Sequence, residues 1–310
     1  MSAPEHAGVP VDPQGAARVE PAAPGSPAPG DERGAPSVKA RPSRAHSIVF
    51  GTVGVIGELL ITAGVLLFGF LAWQLWWTDV QGDKAQAQIV DDFATDPVPT
   101  TTPTVAGEAA RVKIATPRHD EPPVDKAPAH AVTFATVQVP RWHGIGAKPI
   151  SEGIDRATVL NPKGVGHYPG TQMPGDVGNF ATAGHRTTYG KPYHRIAELK
   201  VGDPIVIRTK TTWYVYRMVS KEIVYPNDVG VIAPVPDQPG KKPTKRMITM
   251  TSCTPMYSAA QRYVVHGELD YWAPISSGIP VELLGTKGNP SLADAGLTSM
   301  PTSTSTLGGR

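Results

Sequence analysis

Cysteine is almost absent: the 310-residue chain carries a single thiol, Cys253. One cysteine excludes an intramolecular disulfide framework and a cysteine-rich zinc site. No HExxH pattern and no Cys/His tetrad occurs, so no metal and no cofactor is expected. Charge of one sign is scarce as well. The formal net charge is only +2, and no dense basic run is present. Phosphate backbones are gripped by clustered cations, so no nucleic-acid partner is expected. Long hydrophobic runs are missing too, with one exception.

That exception is Ile48–Trp77, IVFGTVGVIGELLITAGVLLFGFLAWQLWW. About 20 apolar residues in a helix span a bilayer core, and this run is long enough. It is too long, and preceded by too long a leader, for a cleaved signal. Arg33, Lys39, Arg41 and Arg44 precede it, whereas Asp79 and Asp83 follow. The positive-inside rule then gives a cytoplasmic N-terminus and an extracytoplasmic C-terminal bulk, anchored in the cell membrane by a single pass. Trp73, Trp76 and Trp77 mark the outer interface. Glu58 has two readings. Either the span begins at Leu59 and leaves Glu58 near the cytoplasmic interface, or the carboxyl is buried, protonated or paired in the membrane.

Around this run the chain divides into segments. Residues 1–47, rich in Pro, Ala, Gly and Ser, bury too little surface to offset their conformational entropy and are expected to be disordered. Residues 78–131 turn polar and proline-rich and are expected to form an extended spacer, with Asp91, Asp92 and Phe93 as a short helical extension. His119 and His130 fall in this spacer, with no partners expected. Residues 132–285 form the folded domain, and 286–310 a second disordered tail.

Within the domain, Thr133–Val139 alternates and is β-branched. Asn179–Ala183, Pro204–Thr209, Trp213–Tyr225, Arg246–Thr251 and Arg262–Leu269 also read as strands, with Gly153–Leu160 and Ile279–Leu284 as possible additions. Gly164–Gly178 is a run of turn signals. Pro192–Leu199 has helical spacing, and Val235–Lys245 reads as a loop. Many short strands with few helices indicate a closed β-barrel or a sandwich.

Cys253 closes the run ITMTS, and a turn separates it from Arg262 on the next strand. The thiol is either a small core residue or a nucleophile. Arginine nearby offers a cation for a thiolate or a developing oxyanion. Acyl transfer by a thiol also needs a proton carrier, usually histidine. Of nine histidines, His6 and His46 precede the membrane run and two lie in the spacer. That leaves His143, His167, His185, His194 and His266. His185 follows the strand NFATA and precedes the polar turn RTTYG, a position at a sheet rim. His266 lies mid-strand, where a packed or surface role is expected.

Taken together, these blocks resemble the sortase family, and most closely the class E sortases of high-GC Gram-positive bacteria. Thr249-Met250-Thr251-Ser252-Cys253 stands where the family has Thr-Leu-x-Thr-Cys, and Arg262 follows in QRYVVHGEL. Ala183–Gly190, AGHRTTYG, looks like the class E histidine motif, and GHYPGTQMPGDVGNFA is similar too. So are GELLITAGVLL and QLWWTDV. Met250, Ser252 and Thr254 depart from the usual leucine, threonine and histidine.

The resemblance implies an eight-stranded closed sortase-type β-barrel with short helices, preceded by one transmembrane helix. It implies that Cys253 attacks a Leu-x-x-Thr-Gly type sorting signal, that Arg262 stabilises the oxyanion and that His185 carries the proton. Class E implies a Leu-Ala-x-Thr-Gly preference, with Tyr168 as the candidate for favouring alanine and Thr251 and Ser252 as further substrate-binding residues. Implied partners are exported proteins bearing a C-terminal sorting signal and a peptidoglycan precursor or lipid-linked amine acceptor. The alternative is a catalytically weak or silent, membrane-anchored β domain that binds surface proteins or cell wall.

Overall fold

The computed structural model describes residues 44–94, 100–101 and 111–300. The disorder expected for the N-terminal segment and for the end of the C-terminal tail falls largely outside them. One long helix, α1 (Arg44–Phe93), carries the apolar run. Its apolar side chains from Phe50 to Trp77 are exposed, and Glu58 is exposed among them. Trp73 and Trp77, four positions apart, stack at 5.8 Å.

Eight strands then close a mixed barrel in the order β1-β2-β3-β4-β7-β8-β6-β5. They are β1 (Thr133–Gln138), β2 (Lys148–Glu152), β3 (Val165–His167), β4 (Gly178–Gly184), β5 (Pro204–Arg208), β6 (Thr212–Val224), β7 (Arg246–Thr254) and β8 (Gln261–Pro274). The β2–β3 and β4–β7 pairs are parallel and the others antiparallel. The strand alternation sorts the core. Ile205, Ile207, Tyr214, Tyr216, Ile248 and Met250 fill the barrel with Phe180 and Ile150.

The opposite faces of β5, β6 and β8 are apolar as well. Val206, Val215, Tyr271 and Ala273 build a second core with Ala115, Ile279 and Leu283. That second core corrects the expectation of an extended spacer for its final part. Ile114 bridges to Ile279 and Arg118 to Trp272, so residues 111–123 lie along the barrel. His119 and His130 have partners after all: Asp270 O at 2.9 Å and Thr158 Oγ1 at 2.9 Å. The tail expected from 286 onwards also packs, with Val112 N–H donating to Asp294 O and Asn289 to Gln138.

Other elements differ locally. Strand β2 was not anticipated, and β3 hides in the turn-rich run 164–178. The segment 153–160 is no strand: Asp155 caps Ala157 and Thr158, and Arg156–Leu160 winds as a π-helical turn running on to Lys163. Residues 279–284 make a bridge and a 3₁₀ turn, Val281–Leu283. The helix expected over 192–199 shrinks to a 3₁₀ turn, Ile196–Glu198, because Tyr193, Ile196 and Leu199 all turn into the core. Val235–Lys245 is a loop, as its prolines require.

Candidate active site

Three strand ends and one helical turn build a cleft of about 260 Å³. It is lined by Arg156, Leu160, Tyr168, Ala183, His185, Thr251, Ser252, Cys253 and Arg262, among others. Cys253, His185, Arg262, Tyr168, Thr251 and Ser252, the candidate catalytic and substrate-binding residues, all lie on its wall.

The register explains why. Strand β4 runs parallel to β7 with Ala183 opposite Thr251, so His185, just past the end of β4, and Cys253, still within β7, each lie two positions beyond that pair. Strand β8 returns antiparallel with Arg262 directly opposite Cys253. In β7, Met250 enters the barrel core, so Thr251 and Cys253 share the opposite face. Cys253 is half-buried and has no disulfide partner.

Hydrogen bonds tie this corner together. Ser252 Oγ donates to Gly184 O at 2.8 Å, locking β7 to β4 immediately before each motif residue. Thr251 Oγ1 donates to Thr182 O at 3.2 Å. That leaves Thr251 Oγ1 to accept from the Tyr168 hydroxyl at 3.0 Å. Gly184 has a steric reason: a Cβ there would lie 2.8 Å from the ring of Tyr193 beneath it. Arg262 Nη1 donates to Ala259 O and Gln261 O at 2.9 and 3.0 Å, bracing the β7–β8 turn. Among the described residues, its Nε and Nη2 make no hydrogen bond.

His185 is supported on two sides. Asn161 Oδ1 lies 2.8 Å from its Nε2, and the Tyr189 ring lies 5.3 Å away at 34°. Burial, and then the Arg156 guanidinium, push its pKa below the ordinary imidazole value. The ring is therefore neutral at pH 7. Nε2–H then donates to Asn161, and Nδ1 carries the lone pair. A thiol, a neutral imidazole and an arginine at one cleft form the set needed for acyl transfer through a cysteine.

Asn161, Arg156 and Arg186 were not singled out from the sequence. Arg186, the residue after His185, donates from Nη1 to Thr254 Oγ1 at 2.7 Å and to Cys253 O at 3.3 Å. Its place in AGHR was the available signal. Asn161 and Arg156 sit in a segment that offered no motif.

The remaining histidines do other work. His167 is fully buried, bonded to Glu152 at 2.6 Å and Gln172 O at 3.1 Å. His194 bonds Arg186 O at 2.8 Å. His266 is buried mid-strand between Thr249 and Glu222, each at 2.9 Å. Glu222, Asp237 and His266 bring metal-ligating atoms within 4.8 Å of one another, away from this cleft.

The family model described as "Sortase domain" matches residues 137–270. Sortase SrtE1 of Streptomyces coelicolor is 36% identical over 239 residues, covering 74% of this chain. The match spans 60% of that relative's length. Sortase SrtE2 of the same organism is 36% identical over 251 residues, covering 74% of this chain and 85% of the relative. The solved SrtA sortase from Actinomyces oris superposes with a TM-score of 0.53 at 42% identity, covering 56% of this chain and 99% of that one. The chain belongs to the sortase family of cysteine transpeptidases, with class E sortases among its relatives.

Proposed function

We propose that the domain, residues 132–285, cleaves a Leu-Ala-x-Thr-Gly or Leu-Pro-x-Thr-Gly signal between Thr and Gly, outside the cell. The observation that carries this is the single cleft shared by Cys253, His185 and Arg262. The sulfur of Cys253 attacks the threonine carbonyl carbon, and the C=O pair moves to oxygen. The guanidinium of Arg262 neutralises that oxyanion. As the pair returns, the C–N bond breaks and the glycine amine leaves with a proton from the His185 imidazolium formed when the thiol ionised. The thioacyl intermediate is then attacked by an amine of a peptidoglycan precursor or lipid-linked acceptor. His185 takes that amine's proton, and the C–S bond breaks to restore Cys253. Tyr168, Thr251 and Ser252 line the signal's path.

Helix α1 is the single-pass anchor, with its N-terminus cytoplasmic and the barrel outside. The exposed apolar run of α1 and its flanking charges support this. The test is the full-length chain in detergent with a quenched Leu-Ala-x-Thr-Gly peptide and an amine acceptor, beside Cys253→Ala and Arg262→Ala. Native cleavage with amine-linked product, lost in Cys253→Ala, is expected. No cleavage by the native chain, or full cleavage by Cys253→Ala, overturns the reading and leaves the binding domain in its place.

A further inference from the structure

The loop that follows His185 has an unusual backbone. Tyr189, Gly190 and Lys191 are consecutive residues at φ 53°, 71° and 32°. Two of them are not glycine, and side chains disfavour this region. Such a conformation persists only where its surroundings hold it.

The last turns of α1 hold it. Asp79, Gly82, Asp83 and Gln86 fall on one face of the helix, at spacings of three and four. Gln86 is fully buried, and its Nε2 donates to Tyr189 O at 2.7 Å. Gly82 lets the backbones touch: a Cβ there would lie 2.5 Å from Tyr189 C and 2.6 Å from Gly190 N. Lys191 reaches Asp79 at 2.8 Å, and Lys148 reaches Asp83 at 2.5 Å. The adjacent face of the helix, through Thr78, Gln81, Gly82 and Ala85, borders a second cleft of about 320 Å³ whose far wall includes Asn161 and Tyr189.

Tyr189 and Asn161 are the two supports of the His185 ring. We propose that Gln86 and Gly82 are positioning residues for His185: the helix that leaves the membrane grips the 186–191 loop and thereby orients the imidazole. This rests on the reading of His185 as the proton carrier. It makes the anchor part of the active site. It also places the cleft near the interface marked by Trp73, Trp76 and Trp77, a few turns up the same helix.

The coupling has a readout of its own. Loosening Tyr189 lets water reach the ring, which relieves the burial that lowers its pKa. The charged and titratable groups around it are Arg156, Tyr168, Cys253 and Arg262 in the cleft, with Arg186, Tyr189 and His194 on its own loop. None of these changes in the variants below.

The experiment uses full-length protein in lipid nanodiscs, with ¹³C-labelled histidine. The His185 signal is assigned by its loss in His185→Gln. Its titration is followed in the native chain, in Gln86→Ala and Gly82→Ala, and in Gln88→Ala, an exposed residue on the same helix. Expected is an upward move of the His185 midpoint by about half a pH unit in Gln86→Ala and Gly82→Ala, and none in Gln88→Ala. With a Leu-Ala-x-Thr-Gly peptide, kcat falls about tenfold in those two variants at unchanged KM. A His185 titration in Gln86→Ala that superimposes on the native curve overturns the proposal, whatever Gly82→Ala does to folding. If the midpoint moves while the native chain cleaves no peptide, the coupling stands and the catalytic reading falls. If the native chain cleaves and the midpoint stays, the coupling alone falls.

Discussion

Arg186 donates to Thr254 Oγ1 at 2.7 Å, so the residue after the histidine grips the residue after the cysteine. The same Nη1 lies 3.3 Å from Cys253 O. Both side chains are buried, Arg186 at 9% exposure and Thr254 at 7%. The two motif blocks, almost 70 residues apart in sequence, are thus joined beneath the cleft by one guanidinium.

Thr254→Val keeps the volume of the side chain and removes the acceptor. The buried hydrogen bond that the charged Arg186 guanidinium donates to Oγ1 then goes unmade, which costs about 1–3 kcal/mol. Urea unfolding is expected to show a lower midpoint at unchanged slope, and kcat is expected to fall as the Cys253 backbone loosens.

Arg262→Ala removes the cation across the ladder from Cys253. If Arg262 is the oxyanion donor proposed above, its loss lowers kcat by roughly 10²–10³-fold. Steady-state cleavage of the sorting peptide measures it, and mass spectrometry is expected to show thioacyl enzyme in the native chain and none in Cys253→Ala.

The pH dependence follows from the burial of His185 and then from Arg156. Burial and this guanidinium both disfavour the charged form of His185, so the acid limb of kcat/KM lies below the ordinary imidazole value. Arg156→Ala removes one of those two causes. The imidazolium becomes easier to form, and the acid limb moves to higher pH. A limb that stays put in Arg156→Ala contradicts this account.

Tyr168→Phe takes away the donor to Thr251 Oγ1. One hydrogen bond of this kind contributes about 1 kcal/mol, so the melting temperature drops slightly. The informative measurement is the ratio of kcat/KM for Leu-Ala-x-Thr-Gly and Leu-Pro-x-Thr-Gly peptides, which is expected to shift toward proline.

Much of this site was legible because its parts are local. The runs NFATAGHR and ITMTSC each state a strand and the side chain at its end, and QRYVV states the return strand. What could not be read was whatever depends on a distant surface. Ala115, Ile279 and Leu283 look like residues of a spacer and a tail until the outer faces of β5, β6 and β8 need covering. Gly153–Leu160 carries β-compatible residues, yet the Asp155 cap commits it to a helical turn. That turn puts Asn161 against His185. Strand β3 has only three residues, and its glycine-rich flanks conceal it; it exists because β2 and β4 leave a gap between them.

The sequence by itself determined the chemistry and its setting: one thiol, a histidine and an arginine at strand ends, behind one apolar helix. Those are properties of residue type and short-range periodicity, which a linear chain displays openly. The tertiary structure alone decided that Gln86 of that helix reaches Tyr189 across 103 positions. It alone decided that Arg186 lies under Cys253. Contacts of that kind depend on how the barrel closes, and no local pattern encodes barrel closure.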